Sequence, residues 1–542
     1  VRSNRTFPAW AGALAGLVAG GVALGVAQLA AGVMGPQTFP VVAVGDAVVD
    51  LTPAAVKEFA IRTFGENDKA VLVGGVLVVL AAVAAVLGMA ARRRLAVGLA
   101  GMAAFGVIGA LAVVTRPDGG LADVLPTVIG VAAGAWALAL LVRRASRPVA
   151  VGPSYVDEES GERPAATRGT GESVERPVTM RGTGEPVTFD RRRLLTGAAG
   201  GVVVAGAATV LGRQFGGREA VDAARSGVRL PQPATPAKPV PAGADLRIKG
   251  LSPFITPNRD FYRVDTALIV PRVDPRDWTL RIHGMVDRPV ELSYDDLLRM
   301  PLTEADVTLT CVSNDVGGPY VGNARWLGVR MADVLREAGL RADADMLLST
   351  SADGFTCGTP TDVVMDGRDA LFAIAMNGVP LPVDHGFPVR QVVPGLYGYV
   401  SATKWVVDLK ATRFDQDEAY WTPRGWAAKG PIKTQSRIDV PRSGATLKAG
   451  DTTIAGVAWA QHTGVDAVEV RVDGGPWRQA RLAEVPGPDT WRQWSIDWAA
   501  TPGTHKIEVR ATDAAGRTQT DALAPPAPDG ATGWHTITAL VE

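Results

Sequence analysis

Apolar and polar positions fall into two regimes along the chain. Five stretches carry no charged residue: Phe7 to Gly45, Ala70 to Ala91, Leu95 to Thr115, Val124 to Val142 and Leu194 to Gly212. Each is long enough to cross a hydrocarbon core of about 30 Å as a helix, and the first must hold a span plus a short loop. Helices buried in a soluble core rarely lack every charge over such lengths, so the pattern predicts transmembrane helices. From Asp245 to about Lys429 short apolar runs alternate with helix-like pieces, Tyr294-Asp-Asp-Leu-Leu-Arg-Met300 and Met331-Ala-Asp-Val-Leu-Arg-Glu-Ala-Gly339, which predicts a mixed α+β unit. From Gly430 the alternation becomes strand-like, as in Ala467-Val-Glu-Val-Arg-Val472 and His505-Lys-Ile-Glu-Val-Arg-Ala511, separated by Asp473-Gly-Gly475 and Pro502-Gly503. That texture predicts an all-β sandwich.

The expected organisation is multi-domain: an all-α membrane region of four spans (1–142), a cytoplasmic loop (143–193), a fifth span (194–212), a Pro-rich linker (213–244), the α+β unit (245–429) and the sandwich (430–542). The loop contains a two-copy repeat, Glu162 to Glu172 returning as Glu175 to Glu185, polar and glycine-rich, which reads as a disordered tether. Pro231, Pro233, Pro236, Pro239 and Pro241 predict an extended spacer that holds the globular part off the bilayer.

Charge sets the orientation. Arg2 and Arg5, Arg92 to Arg94, Arg143, Arg144 and Arg147, and Arg191 to Arg193 fall on alternate sides of successive spans, which places all four clusters in the cytoplasm. With five spans the N-terminus is inside and everything after Gly212 is outside, so the expected location is a cytoplasmic membrane with the globular domains on its outer face. Asp190-Arg-Arg-Arg-Leu-Leu-Thr196 reads in two ways, as a twin-arginine export signal for a folded domain or as ordinary positive-inside charge. Acidic and basic residues balance at 55 each, with no long basic run in the globular half, so nucleic acid is excluded as a partner. The two cysteines, Cys311 and Cys357, exclude an all-cysteine iron–sulfur cluster but could pair with each other. The first histidine is His283, which removes bis-histidine haem from the spans, and no acidic residue lies within a span to relay protons. Anchoring to the lipid bilayer is therefore a simpler use of the helices than electron conduction or quinone binding.

Two constellations carry chemistry. In Val307-Thr-Leu-Thr-Cys-Val-Ser-Asn314 the alternation reads as a buried strand ending at Cys311, with Asn314, Gly317, Gly318 and Gly322 in a loop beyond. Such a cysteine is either a small core residue or a soft thiolate for a high-valent metal. His385 and Arg390 lie five apart across Gly386 and Pro388, a spacing that suits a loop turning into a strand, and Lys404 follows in Tyr399-Val-Ser-Ala-Thr-Lys-Trp405. Gathered in one cleft these three would bind a dianionic phosphate; apart, they are surface cations and a structural histidine.

The ordered set Leu280-Arg-Ile-His-Gly-Met-Val286, Thr310-Cys-Val-Ser-Asn314, Ala324-Arg-Trp-Leu-Gly328, Asp384-His-Gly-Phe-Pro-Val-Arg390, Val393-Pro-Gly395 and Thr403-Lys-Trp405 resembles the sulfite oxidase family of molybdopterin-dependent oxidoreductases, here of a membrane-anchored bacterial type. The all-β tail, with Val472-Asp-Gly-Gly-Pro-Trp477 and Trp491-Arg-Gln-Trp494, resembles that family's immunoglobulin-like dimerisation domain. The resemblance implies that Cys311 is the protein thiolate on molybdenum and that His385, Arg390 and Lys404 hold the phosphate and pterin of one molybdopterin. Tyr262, Arg263, Asn314, Ser351, Asp353, Ser401 and Thr403 are further cofactor-binding positions that it implies, and Cys357 is expected as a buried core thiol. It also implies oxygen-atom transfer on a small substrate and a possible homodimer. No haem or cluster motif occurs in the chain, so a separate redox partner, a cytochrome or a quinone-linked protein, is expected.

One departure concerns the substrate. Sulfite oxidases place paired arginines just after the metal cysteine, whereas Ser313-Asn-Asp-Val-Gly-Gly-Pro-Tyr320 has none and adds Asp315, which would repel sulfite. Three readings follow: an oxidoreductase that transfers an oxygen atom, in a direction the sequence leaves open, on a small substrate, sulfur-containing or not; a methionine-sulfoxide-type reductase on the same fold; or a non-catalytic envelope scaffold that binds a partner.

Overall fold

A computed structural model describes residues 7–52, 56, 63, 68–115, 120–145, 189–215 and 218–542. Arg2, Arg5, Arg147 and the Glu162–Glu185 repeat lie outside the described residues. The chain divides into two compact units, Val1–Gly216 and Gly217–Glu542.

In the first unit, five helices are long and apolar enough to cross a membrane: Ala9–Met34, Val71–Ala91, Leu95–Val114, Leu121–Ala145 and Arg191–Gly212. The short loop expected in the first charge-free stretch is a turn of 3-10 helix, Pro36–Thr38, followed by a second, shorter helix, Pro40–Leu51. Small residues set the packing. A Cβ on Gly16 would collide with the Ala84 carbonyl, and one on Gly88 with the Gly12 carbonyl, so the first two spans touch backbone to backbone. The same first helix meets the fourth span at Gly130, where a Cβ would lie 2.5 Å from the Ala23 oxygen, and the fifth at Gly25, 2.6 Å from the Ala205 oxygen. This close approach supplies dispersion contacts that hold the bundle together, the kind of packing that helices in a bilayer need because lipid tails offer no hydrophobic drive for their association.

The second unit holds two folds. One sheet has the order β2-β1-β10-β5-β6, built from β1 (Thr279–Gly284), β2 (Val290–Ser293), β5 (Met346–Ser351), β6 (Thr356–Pro360) and β10 (Val406–Thr412), with β1 and β10 parallel. A second has the order β3-β4-β7-β8, from β3 (Leu302–Thr310), β4 (Val321–Arg330), β7 (Leu371–Met376) and β8 (Val379–Pro380), with β9 (Arg390–Val392) paired to β7. Both predicted helices form. Tyr294–Arg299 starts on a Ser293–Asp296 capping box, and Met331–Ala338 ends on Gly339 in the left-handed region. The expected α+β unit is thus present.

The sandwich consists of β11 (Gln435–Val440), β13 (Gly450–Trp459), β17 (Arg492–Ala500) and β16 (Arg481–Leu482) against β12 (Ala445–Leu447), β19 (His535–Val541), β18 (Gly503–Asp513), β14 (Val465–Val472) and β15 (Arg478–Gln479). Ile438, Ile454, Val468, Trp494, Ile507 and Ile537 fill the space between its sheets.

Two structural findings differ from the sequence pattern. The texture changes at about residue 430, yet the α+β and all-β parts share a core of Phe254, Val321, Val457, Trp459 and Trp491. The Pro-rich stretch is extended but is no free spacer. Before it, helix Arg218–Gly227 docks through Arg225, whose guanidinium donates to the carbonyls of Leu381 (2.6 Å) and Pro380 (2.7 Å). Farther on, Thr235 bridges to Thr303 and Ala244 is fully buried. Proline fixes an extended backbone but does not decide whether that backbone lies in water or on a neighbour.

Candidate active site

Strand β3 is buried on both faces. Val307 and Leu309 enter the apolar core, while Thr308 accepts from the Trp491 backbone N–H (2.7 Å) and Thr310 from Gln461 Nε2 (3.0 Å). The strand ends at Thr310, and Cys311 follows at the neck of the loop leading to β4. The Cys311 N–H donates to the Tyr320 carbonyl (3.0 Å), its own carbonyl accepts from the Asn314 N–H (3.1 Å), and Asn314 Oδ1 accepts from the Tyr320 N–H (2.7 Å). Asn314 therefore closes the loop through its side-chain oxygen. Cys311 is only 8% exposed. Burial pushes its pKa up, against hydrogen bonds at Ser313 and the positive charge of Lys404, which pull it down. Among the described residues no group of three or more His, Cys, Asp or Glu could hold a metal, so a metal at Cys311 would take its other ligands from a cofactor.

The expected loop-to-strand geometry is present. Val383–His385 is a single 3-10 turn, Gly386 has φ +108°, and Arg390 opens β9. His385 Nε2 donates to the Asn258 carbonyl (3.0 Å), and its Nδ1 is buried without a hydrogen-bond partner. Burial, then the charges of Arg390 and Lys404, push its pKa down to about 4. Arg390 is buried, donates to the His385 carbonyl (3.1 Å) and lies 4.9 Å above the Trp326 ring. Burial lowers even its pKa, to about 10. Among the described residues no carboxylate forms a salt bridge with it.

Lys404 is buried, and its Nζ sits 3.1 Å from Asp265 Oδ2, which also accepts from Arg263 Nε at 2.9 Å. Burial brings Lys404 down to about 8, with Asp265 opposing that fall. Tyr262 is half-buried and held well above the usual phenol range, by burial first and then by proximity to Cys311, with Arg390 opposing. Tyr397, raised to about 12 chiefly by burial, is also within electrostatic reach of Cys311. The Cys311 thiol is thus within electrostatic reach of Lys404, and Lys404 of Arg390 and His385.

The other positions divide. Asp353, in the turn after Ser351, accepts from the Phe355 N–H (3.3 Å) and is raised by burial and by Asp265, which places it beside the cation group. The Ser401 hydroxyl donates to the carbonyls of Leu396 (3.1 Å) and Tyr397 (2.9 Å), and Thr403 Oγ1 shares a hydrogen bond with Ser349 Oγ (2.7 Å). Both side chains are engaged inside the fold. Cys357 is fully buried, donates to the Tyr399 carbonyl (3.1 Å), and is not disulfide-linked to Cys311. Asp265, Asn258 and Tyr397 join the group without a signal in their local sequence.

A molybdopterin fits these residues. A buried guanidinium with only carbonyl partners and an imidazole nitrogen with none both suit an anionic, hydrogen-bonding ligand. Among the described residues the site offers one thiol and no group of three metal-ligating side chains, as suits a cofactor that brings its own sulfur ligands.

Residues 267–421 match the family described as oxidoreductase molybdopterin binding domain, and residues 435–509 match the bacterial Ig domain. The chain is similar to mitochondrial sulfite oxidase of Mus musculus, at 34% identity over 50% of this chain and 58% of that protein. It is also similar to an uncharacterized oxidoreductase, YuiH, of Bacillus subtilis, at 33% identity over 29% of this chain and 76% of that protein. Among solved structures, the sulfane dehydrogenase SoxCD from Paracoccus pantotrophus aligns with a TM-score of 0.46 and 25% identity, over 53% of this chain and 84% of that one. The chain spans little more than half the length of the sulfite oxidases it matches. Ordered motifs, matched domains and relatives agree: the chain belongs to the sulfite oxidase family of molybdopterin-dependent oxidoreductases.

Proposed function

We propose that this chain is a membrane-anchored, extracytoplasmic molybdenum-cofactor oxidoreductase that transfers an oxygen atom to or from a small, sulfur-containing substrate. The observation that carries this reading is the gathering of Cys311, His385, Arg390 and Lys404 about one region, since a scaffold gains nothing from burying three basic side chains beside a thiol. Residues 1–142 and 194–212 anchor the protein, 143–193 lie in the cytoplasm, 245–429 hold the cofactor and 430–542 form the sandwich, whose outer face is a candidate homodimer contact. The internal Asp190–Thr196 motif acts as the export signal, because a domain loaded with cofactor in the cytoplasm must cross folded.

Cys311 ligates the molybdenum, Arg390, Lys404 and His385 hold the phosphate and pterin, and Arg263 and Asp353 lie at the edge of the same cation group. The bound cofactor supplies a two-electron couple linked to oxygen-atom exchange. Asp265 keeps Lys404 and Arg263 oriented and favours the charged form of Lys404. Tyr262 stays protonated at neutral pH and can donate a hydrogen bond beside the sulfur. Asp315, exposed on the Cys311 loop, disfavours a sulfite-like dianion, and electrons pass to or from a separate redox partner.

Metal analysis and pterin fluorescence of the purified full-length chain test this reading. About one molybdenum and one pterin per chain are expected of a single-thiolate site. Absence of both after expression in molybdate-replete cells would overturn it.

A further inference from the structure

The loop that carries Cys311 is gripped by the sandwich. Arg437 on β11 donates through Nη1 to the Gly318 carbonyl (2.9 Å) and through Nη2 to Ser252 Oγ (2.9 Å), while its Nε donates to Asp439 Oδ1 (2.6 Å). Three fixed partners leave the guanidinium a single orientation. His535, at the start of β19, accepts from the Ile438 N–H at Nδ1 (2.9 Å), which fixes the ring against β11. Its ring packs against Gly317, where a Cβ would collide with ring atoms Cδ2 and Nε2 and where φ is +77°. Glycine is required there twice over, by backbone conformation and by this close approach.

These contacts continue to the sulfur-bearing residue. A Cβ on Gly318 would stand 2.7 Å from Asn314 Oδ1, so Gly318 packs directly on Asn314. Asn314 in turn donates its N–H to the Cys311 carbonyl and accepts from Tyr320, whose carbonyl receives the Cys311 N–H. Strand β3, on the other side of Cys311, is held by the sandwich as well, through Thr308 N–H to the Asp489 carbonyl (2.9 Å) and Gln461 to Thr308 and Thr310. The backbone is thus restrained from the all-β fold both before and after position 311.

We propose that Arg437 and His535 are positioning residues: acting through Gly317, Gly318 and Asn314, the sandwich sets where the Cys311 sulfur stands and how readily it is reached. The inference rests on the reading of Cys311 as the metal ligand only for its consequence in the loaded enzyme; the restraint on the thiol exists without it.

The test is the alkylation rate of each cysteine in the full-length chain, purified with and without molybdate in the growth medium. Cys357, fully buried and outside this loop, is the internal control. In Arg437→Gln and His535→Ala prepared without molybdate, Cys311 is expected to react at least about tenfold faster, with Cys357 unchanged, because reaction of a buried thiol reports local opening. Wild-type rates at Cys311 in both variants, or equal acceleration of both thiols, would overturn the proposal. In the molybdate-grown protein, Arg437→Gln should also shift the paramagnetic resonance spectrum of the partly reduced metal; an unchanged spectrum removes the link to the metal. If the wild type binds no molybdenum but the alkylation pattern holds, the positioning role stands and the cofactor reading fails.

Discussion

Asp265 Oδ2 accepts hydrogen bonds from both Lys404 Nζ, at 3.1 Å, and Arg263 Nε, at 2.9 Å, and does so from a side chain only 6% exposed. The carboxylate opposes the drop that burial imposes on Lys404, which with Asp265 in place stands at about 8. Asp265→Asn should lower the Lys404 pKa further, so that at pH 8 the amine is largely uncharged. A one-unit fall corresponds to about a tenfold loss of the charged form above the pKa. Pterin release should therefore be faster than wild type at pH 8 and close to wild type at pH 6, where the amine is protonated in both. Release that is equally fast at both pH values would mean that Asp265 acts through packing.

The two thiols should respond oppositely to the same replacement. Cys311→Ser should abolish turnover with an artificial electron acceptor while leaving membrane insertion near normal, since a serine fits the neck of the loop and its backbone hydrogen bonds remain. Cys357→Ser should keep activity, because the hydroxyl can still donate to the Tyr399 carbonyl, with a stability change within about 1 kcal/mol. Thermal melting and turnover of both variants check this, and full activity of Cys311→Ser would defeat the site assignment.

Much of this was legible in the sequence, for identifiable reasons. The spans and both soluble folds follow from periodicity, which local sequence carries. Cys311, His385 and Arg390 follow from residue types that are chemically conspicuous at the ends of strands and turns. Asp265 carries no such mark: it follows Arg263 in an aperiodic stretch, and its role exists only because Lys404, 139 residues later, folds over it. Ser401 and Thr403 show the opposite relation between sequence and side-chain direction. They flank Lys404 in a polar run, but the turn Gly398–Val400 and the pairing of β10 with β5 direct their hydroxyls inward. The grip of Arg437 and His535 on Gly317 and Gly318 is a tertiary contact between two folds, and no local pattern encodes it.

The helix bundle gives a prediction of its own. A side chain at Gly16 would meet the Ala84 carbonyl and Gly88, both backbone, which cannot yield as a flexible side chain can. Gly16→Leu should therefore separate the first two spans and cost a few kcal/mol. Gly74→Leu, where nothing lies within 4 Å, should be neutral. Melting of the two variants in detergent checks the contrast, and equal stability would refute the packing.

The arginine clusters predict the proposed sidedness, and a protease experiment tests it. Protease added to intact spheroplasts should remove residues beyond 217, while a tag in the 150–188 segment should be cut only after lysis. Protection of the soluble unit in intact spheroplasts would reverse the topology.

The last prediction concerns acid stability. His385 and His535 are each pushed down to about 4 from 6.5, both by burial first and then by neighbouring cations. Between pH 6.5 and about 4 the unfolded chain takes up a proton at each imidazole and the folded chain does not. Stability of the soluble unit should therefore fall as pH falls through that window, by on the order of 3 kcal/mol per imidazole at its lower end. His462 and His505, raised by Asp489 and Asp473, act with the opposite sign: their contribution is full below the unfolded pKa and is lost as pH rises through the folded one. Single variants separate these effects. In protein purified without cofactor, His385→Gln should flatten the decline below pH 6.5 by about its own share and leave stability at pH 8 little changed, because a neutral amide cannot gain a proton in either state. An unaltered pH profile in that variant would show that the imidazole at 385 is protonated in the folded chain, contrary to its burial among Arg263, Arg390 and Lys404.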